Sequence, residues 1–326
     1  MKHVRLIVAA SIALVAITGY AAFKLTPWPS VWLIRHAYHD HASKANASLA
    51  PLVPGRVSAT YDLSYSRGER DASFDVFAPA DATRPLPVLI WVHGGGYVAG
   101  SRSDLSNYLQ ILAARGFVTV AIDYSLAPGA RFPTPVKQTN QALAYLSAHA
   151  DELHIDSRRI FLAGDSAGAQ IAAQTALVIS DSSYAKSLGV DPGISRSTLR
   201  GLVLYCGPYD PTFMTSEGML ADFKRTVLLS YMGTRDPNDP RVAAIAVTPH
   251  LSSSYPPAFI SVGNADPLAP QSRALARTLA ELGVPVDTLF FASHTPPLRH
   301  GYQALLTTDA ARLALERSVA FLTANM

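Results

Sequence analysis

The hydrophobic positions of this chain fall into three patterns. Residues 6–23 form one uncharged, largely apolar run, preceded by Lys2 and Arg5 and closed by Lys24. About 17 to 25 apolar residues suffice to cross a bilayer, so the run predicts a membrane-length helix. Residues 60–79 alternate instead, around Tyr61, Leu63 and Tyr65 and then Phe74, Val76 and Phe77, which predicts an antiparallel pair of strands at a sheet edge. From there the chain settles into short continuous apolar runs at 88–92, 118–122, 160–163, 202–205, 258–262 and 286–291. Helical patterns lie at 105–115, 136–150, 167–180, 271–282 and 308–322. Uninterrupted apolar strands separated by helices predict an α/β fold, a mostly parallel central sheet flanked by helices on both faces.

Two stretches break this rhythm. Residues 207–257 are rich in Pro and Gly, and read as an insertion that builds a lid or substrate wall; residues 43–50 are polar and alanine-rich, and read as a linker. The expected organisation is therefore a membrane anchor or signal segment (1–25), a linker and N-terminal cap region (26–59), and a main domain (60–326) with its cap insertion at about 207–257. Lys2 and Arg5 ahead of the apolar run favour a cytoplasmic N-terminus and a main domain outside the cytoplasm, periplasmic or extracellular. Small residues in Gly19-Tyr20-Ala21 also fit the cleavage site of a secretory signal. Trp28 and Trp32 suit either the headgroup level of a membrane or a wall of the cap.

Composition narrows the partners. With 49% hydrophobic and 16% charged residues the chain can bury a large core. The net charge of +3 includes no basic run, which argues against nucleic acid. Cys206 is the single cysteine, so an intramolecular disulfide and a cysteine-based metal cluster are excluded; its apolar neighbours at 202–205 predict a packed core thiol. His36, His39 and His41 read as solvated linker residues, and no His or Cys group has metal-ligand spacing.

The chemistry collects at strand ends. Gly164-Asp165-Ser166-Ala167-Gly168 sits between the strand at 160–163 and the helix at 167–180. That is the context of a nucleophile elbow, in which flanking glycines permit a strained strand-to-helix turn that exposes the serine. His93-Gly94-Gly95-Gly96 follows the strand at 88–92, where bare backbone N–H groups of Gly94, Gly95 and Gly96 can join that of Ala167 around a developing oxyanion. Asp266 follows the strand at 258–262, placed to orient a histidine; a plain helix cap is its other reading. His300 follows the last strand, so Ser166, Asp266 and His300 arrive in the order of nucleophile, acid and base. His294 is the nearest competitor for the base, and Asp123 and Asp210 follow strands too early to be the acid.

Together, Val92-His93-Gly94-Gly95-Gly96-Tyr97, Asp123-Tyr124-Ser125-Leu126-Ala127-Pro128, the elbow, the Asp266 loop and the His300 loop resemble the hormone-sensitive-lipase-like family of α/β-hydrolases, over roughly residue 73 to the C-terminus. The resemblance implies an α/β-hydrolase fold, a small cap, and hydrolysis of a small-molecule carboxylic ester with no metal or organic cofactor. Same-fold deacetylase, amidase or thioesterase chemistry and a non-catalytic binding protein are the alternatives. It also implies that Asp165, Asp123 and Tyr124 are structural. Two departures stand out: Ser125, where family members commonly carry Arg, and the long loop 293–299 before His300.

Overall fold

The computed structural model describes residues 2–214 and 220–326; Met1 of the predicted anchor and residues 215–219 of the predicted insertion lie outside them. Among the described residues, eight strands form one sheet: β1 (Val57–Ser64), β2 (Ser73–Pro79), β3 (Leu86–Val92), β4 (Val118–Ile122), β5 (Ile155–Asp165), β6 (Leu199–Tyr205), β7 (Ala258–Val262) and β8 (Val286–Phe290). Their spatial order is β1-β2-β4-β3-β5-β6-β7-β8. β2 runs antiparallel to both of its neighbours, and from β4 to β8 every pair is parallel. The expected edge pair and parallel sheet are both present, so the chain has an α/β architecture.

Continuous apolar strands work here because both sides of the sheet are covered. Val88, Ile90 and Val92 enter one core together with Ile160 and Leu162, while Leu89 and Trp91 enter the other with Phe161 and Ala163. Successive side chains point to opposite faces, so one apolar run feeds two cores.

The helices are α1 (Lys2–Leu25), α2 (Trp28–Leu49), α3 (Ser106–Ala113), α4 (Thr134–Ala148), α5 (Ala167–Ser180), α6 (Ser182–Leu188), α7 (Ala221–Val227), α8 (Pro240–Ala243), α9 (Ala269–Glu281) and α10 (Asp309–Ala324). Every residue of α5 from Ala167 to Ile179 is buried, because this helix packs on β5 and β6 and is flanked by α4 and α6. Its Ala-rich sequence lets it approach the sheet closely.

α2 is a correction to the sequence reading. Residues 43–49 continue a helix instead of forming a linker, and His36, His39 and His41 ride on it. Alanine is the best helix former, Val31, Ala42 and Leu49 are buried against the body, and Asn46 bonds the carbonyl of Ser103 and the hydroxyl of Ser106. α1 has no share of its apolar window buried in the protein. At 1.5 Å per residue it is about 36 Å long, against a bilayer core of about 30 Å, so by length and composition it can cross a membrane.

Candidate active site

Ser166 stands between the end of β5 and the first residue of α5, with φ +52° and ψ −122°. This is a strained conformation for a residue with a side chain. The flanking glycines allow the turn to close. A Cβ on Gly164 would lie 2.5 Å from the Gly168 carbonyl carbon, and one on Gly168 would lie 2.0 Å from the Val92 carbonyl oxygen. Below the turn, the indole of Trp91 donates to the Asp165 carboxylate at 2.9 Å. Burial pushes the Asp165 pKa up, against the lowering effect of that bond.

Ser166 Oγ lies 3.0 Å from His300 Nε2, and His300 Nδ1 lies 2.8 Å from Asp266 Oδ2. A carboxylate only accepts, so Nδ1 carries the proton toward Asp266 and Nε2 is left to accept from the serine hydroxyl. Asp266 is buried at 4% exposure, and its other oxygen accepts from the backbone N–H of Leu268 at 2.8 Å.

The long loop before His300 is tied to the loop that carries Asp266. Ala265 N–H donates to the Leu298 carbonyl at 2.9 Å, and Leu298 N–H donates to the Asn264 side chain at 2.9 Å. His294 is turned elsewhere: its Nδ1 faces the Pro296 carbonyl at 2.7 Å and its ring meets Phe291 edge-on. Asp210 accepts from the backbone of Thr212, and Asp123 accepts from the backbone of Arg102. The first contact is local, and the second belongs to an ion pair between Asp123 and the Arg102 guanidinium.

The glycine loop folds back beside Ser166. Gly95 (φ +104°) and Gly96 (φ +61°) take up conformations that disfavour side chains, and a Cβ on Gly95 would come within 2.1 Å of the Ala99 carbonyl oxygen. Gly94 borders Asp165, whose Oδ2 would be 2.3 Å from an added Cβ. The Tyr124 hydroxyl donates to the His93 carbonyl at 3.0 Å, and the two rings stack. Ala167, at the first turn of α5, presents an N–H with no intrahelical partner.

Gly95, Gly96, Ser166, Ala167, Asp266 and His300 all border one cavity of about 440 Å³. Its upper wall includes Ile34, Tyr38 and Ala42 from α2, and Phe213, Phe223 and Val227 from the stretch after β6. His41 borders it as well, a placement the linker reading missed.

Cys206 was also missed as a site neighbour. It is buried, as expected of a core thiol. Its sulfur, however, lies with a carboxylate oxygen of Asp266 and a ring nitrogen of His300 in a group of possible metal-ligating atoms, all within 4.8 Å of one another. Burial opposes the His300 imidazolium, while the Cys206 and Asp266 side chains favour it and prevail, holding the pKa well above the ordinary histidine value. The adjacency arises because β6 and β7 are neighbours in the sheet, which chain spacing does not reveal.

A family model described as the alpha/beta hydrolase fold matches residues 89–298. The acetyl esterase of Salmonella schwarzengrund is 25% identical over 95% of this chain and 93% of its own length. That of Salmonella typhi is 26% identical with the same coverage. Among solved structures, esterase B of Lactobacillus rhamnosis aligns with a TM-score of 0.76 at 21% identity, covering 91% of this chain and 96% of its own. A bacterial heroin esterase aligns with a TM-score of 0.70 at 27% identity, covering 88% and 89%. With the family model spanning well over half of its length, this chain belongs to the α/β-hydrolase fold family, in its hormone-sensitive-lipase-like branch.

Proposed function

We propose that this carboxylic ester hydrolase works through Ser166 as nucleophile, His300 as general base and Asp266 as the acid that orients it, on esters with short to medium acyl chains. The observation that carries this is the unbroken hydrogen-bonded line from Ser166 Oγ through the His300 ring to the buried Asp266 carboxylate. His300 Nε2 takes the serine proton as Oγ attacks the ester carbonyl, and the Asp266 carboxylate stabilises the imidazolium. The carbonyl oxygen becomes an oxyanion held by backbone N–H groups of Gly95, Gly96 and Ala167, with Gly94 shaping the loop beside Asp165. One such donor is worth about 2.7 to 4 kcal/mol in the transition state. His300 then protonates the departing alcohol, and water, activated by the same imidazole, releases the acid from Ser166.

The relatives named acetyl esterases support an acetyl-sized or slightly longer acyl group. α2 and the stretch after β6 serve as the cap over the cavity. α1 serves as a membrane anchor with its N-terminus in the cytoplasm, which leaves the cavity on the periplasmic or extracellular side. Ser166→Ala is expected to keep its fold by circular dichroism and to lose turnover of p-nitrophenyl acetate on the order of a millionfold. Full turnover in that variant would refute the assignment.

A further inference from the structure

The cap and the membrane-length helix meet at one junction. Trp28 and Trp32 are 52% and 65% exposed on the first two turns of α2, with Leu33 half-exposed beside them. Trp28 comes only three residues after Leu25, the end of α1. Six residues beyond Trp32, about 9 Å along the axis, Tyr38 of the same helix borders the cavity. α7 reaches the junction from the other direction. Asp222 and Thr226 share a surface pocket with Lys24, Pro27 and Ser30, while Phe223 and Val227 of the same helix border the cavity. Arg235 closes the contact by donating to the Lys24 carbonyl at 2.6 Å.

Tryptophan concentrates at membrane–water interfaces because its ring is apolar and its N–H needs a wet partner. Lys24 and Arg235 border the same pocket, where Arg225 is paired with Asp222, and cations beside a membrane surface attract lipid phosphates. At the cavity itself, Leu220 and Leu305 are lining residues left 55% and 43% exposed. An apolar ester passing these side chains would cover surface that otherwise faces water.

We propose that the first turns of α2, through Trp28, Trp32 and Leu33, seat in the headgroup layer of the bilayer that α1 enters. We further propose that the cavity draws from this bilayer an ester lipophilic enough to dissolve in it. A short acyl group on a lipophilic alcohol meets both this requirement and the acyl preference above. The inference rests on the anchor reading of α1 and, for its substrate class, on the esterase assignment.

The test uses the full chain in phosphatidylcholine–phosphatidylglycerol vesicles. Two of the three tryptophans lie on α2, and the third, Trp91, is buried at 2% exposure. Brominated lipid is therefore expected to quench fluorescence of the full chain and to lose that effect in Trp28→Ser/Trp32→Ser. The same double variant is expected to lose about tenfold in kcat/KM on dodecyl acetate dissolved in the vesicles, with p-nitrophenyl acetate in water unchanged. Absent quenching, or equal effects on the two esters, would overturn the proposal, as would a mature chain whose mass shows residues 1–25 removed. A full chain that hydrolyses neither ester would overturn the esterase assignment, and quenching would still decide the docking.

Discussion

At the scale of single residues, the His300 environment makes a directional statement about pH. Catalysis by a general base needs the neutral imidazole. Cys206 and Asp266 favour the imidazolium more than burial opposes it, so the protonated form persists to higher pH. The acid limb of kcat/KM is therefore expected to have its midpoint above that of an ordinary histidine, which is about 6.5. Cys206→Ala removes one favouring group and leaves the Ser166–His300–Asp266 line in place, so its midpoint should move to lower pH with the plateau rate retained. A pH–rate profile of the two proteins checks this, and coincident midpoints would show that Cys206 does not act on His300. Ser166, Asp266 and His300 could be picked out in the sequence because each follows an apolar strand and the three occur in a fixed order. Cys206 could not, since its neighbourhood comes from sheet pairing.

Among the elements, legibility tracked how much burial each one has. β3, β4 and β7 are buried on both faces, and their unbroken apolar runs marked them closely. α2 hid because its contacts are shared among small, aromatic and polar residues, giving it only three buried positions. α7, reading Ala-Asp-Phe-Lys-Arg-Thr-Val, is too short to show helical periodicity. These two obscure helices contribute Ile34, Tyr38, Ala42, Phe223 and Val227 to the cavity wall. The Phe223 ring would come within 2.5 Å of a Cβ on Gly96, so it sits directly over the glycine loop. Phe223→Ala is expected to enlarge the space beside that loop and to shift preference toward longer acyl chains. The ratio of kcat/KM for p-nitrophenyl octanoate to that for the acetate measures it; an unchanged ratio would place the acyl chain elsewhere in the cavity.

For the whole molecule, the fold class follows from a rhythm that a single sequence displays plainly, because parallel strands covered on both sides read as near-continuous apolar runs. Where the molecule works depends on α1, none of whose apolar window is buried in the protein. A helix that exposes Leu6, Ile7, Ile12, Leu14, Val15 and Ile17 by half or more is costly in water and stable in lipid. The chain is expected to stay with membranes through alkaline carbonate washing and to leave them in detergent. Release by carbonate alone would mean that α1 does not span the bilayer.

The proposed chemistry is tested most directly by a fluorophosphonate probe, which forms a phosphonate ester with an activated serine as fluoride leaves. Tryptic mass spectrometry of the labelled full-length protein is expected to find one adduct, on Ser166, and none after His300→Ala. An adduct on a different serine, or an unreactive wild-type protein, would contradict the assignment of Ser166 as the nucleophile.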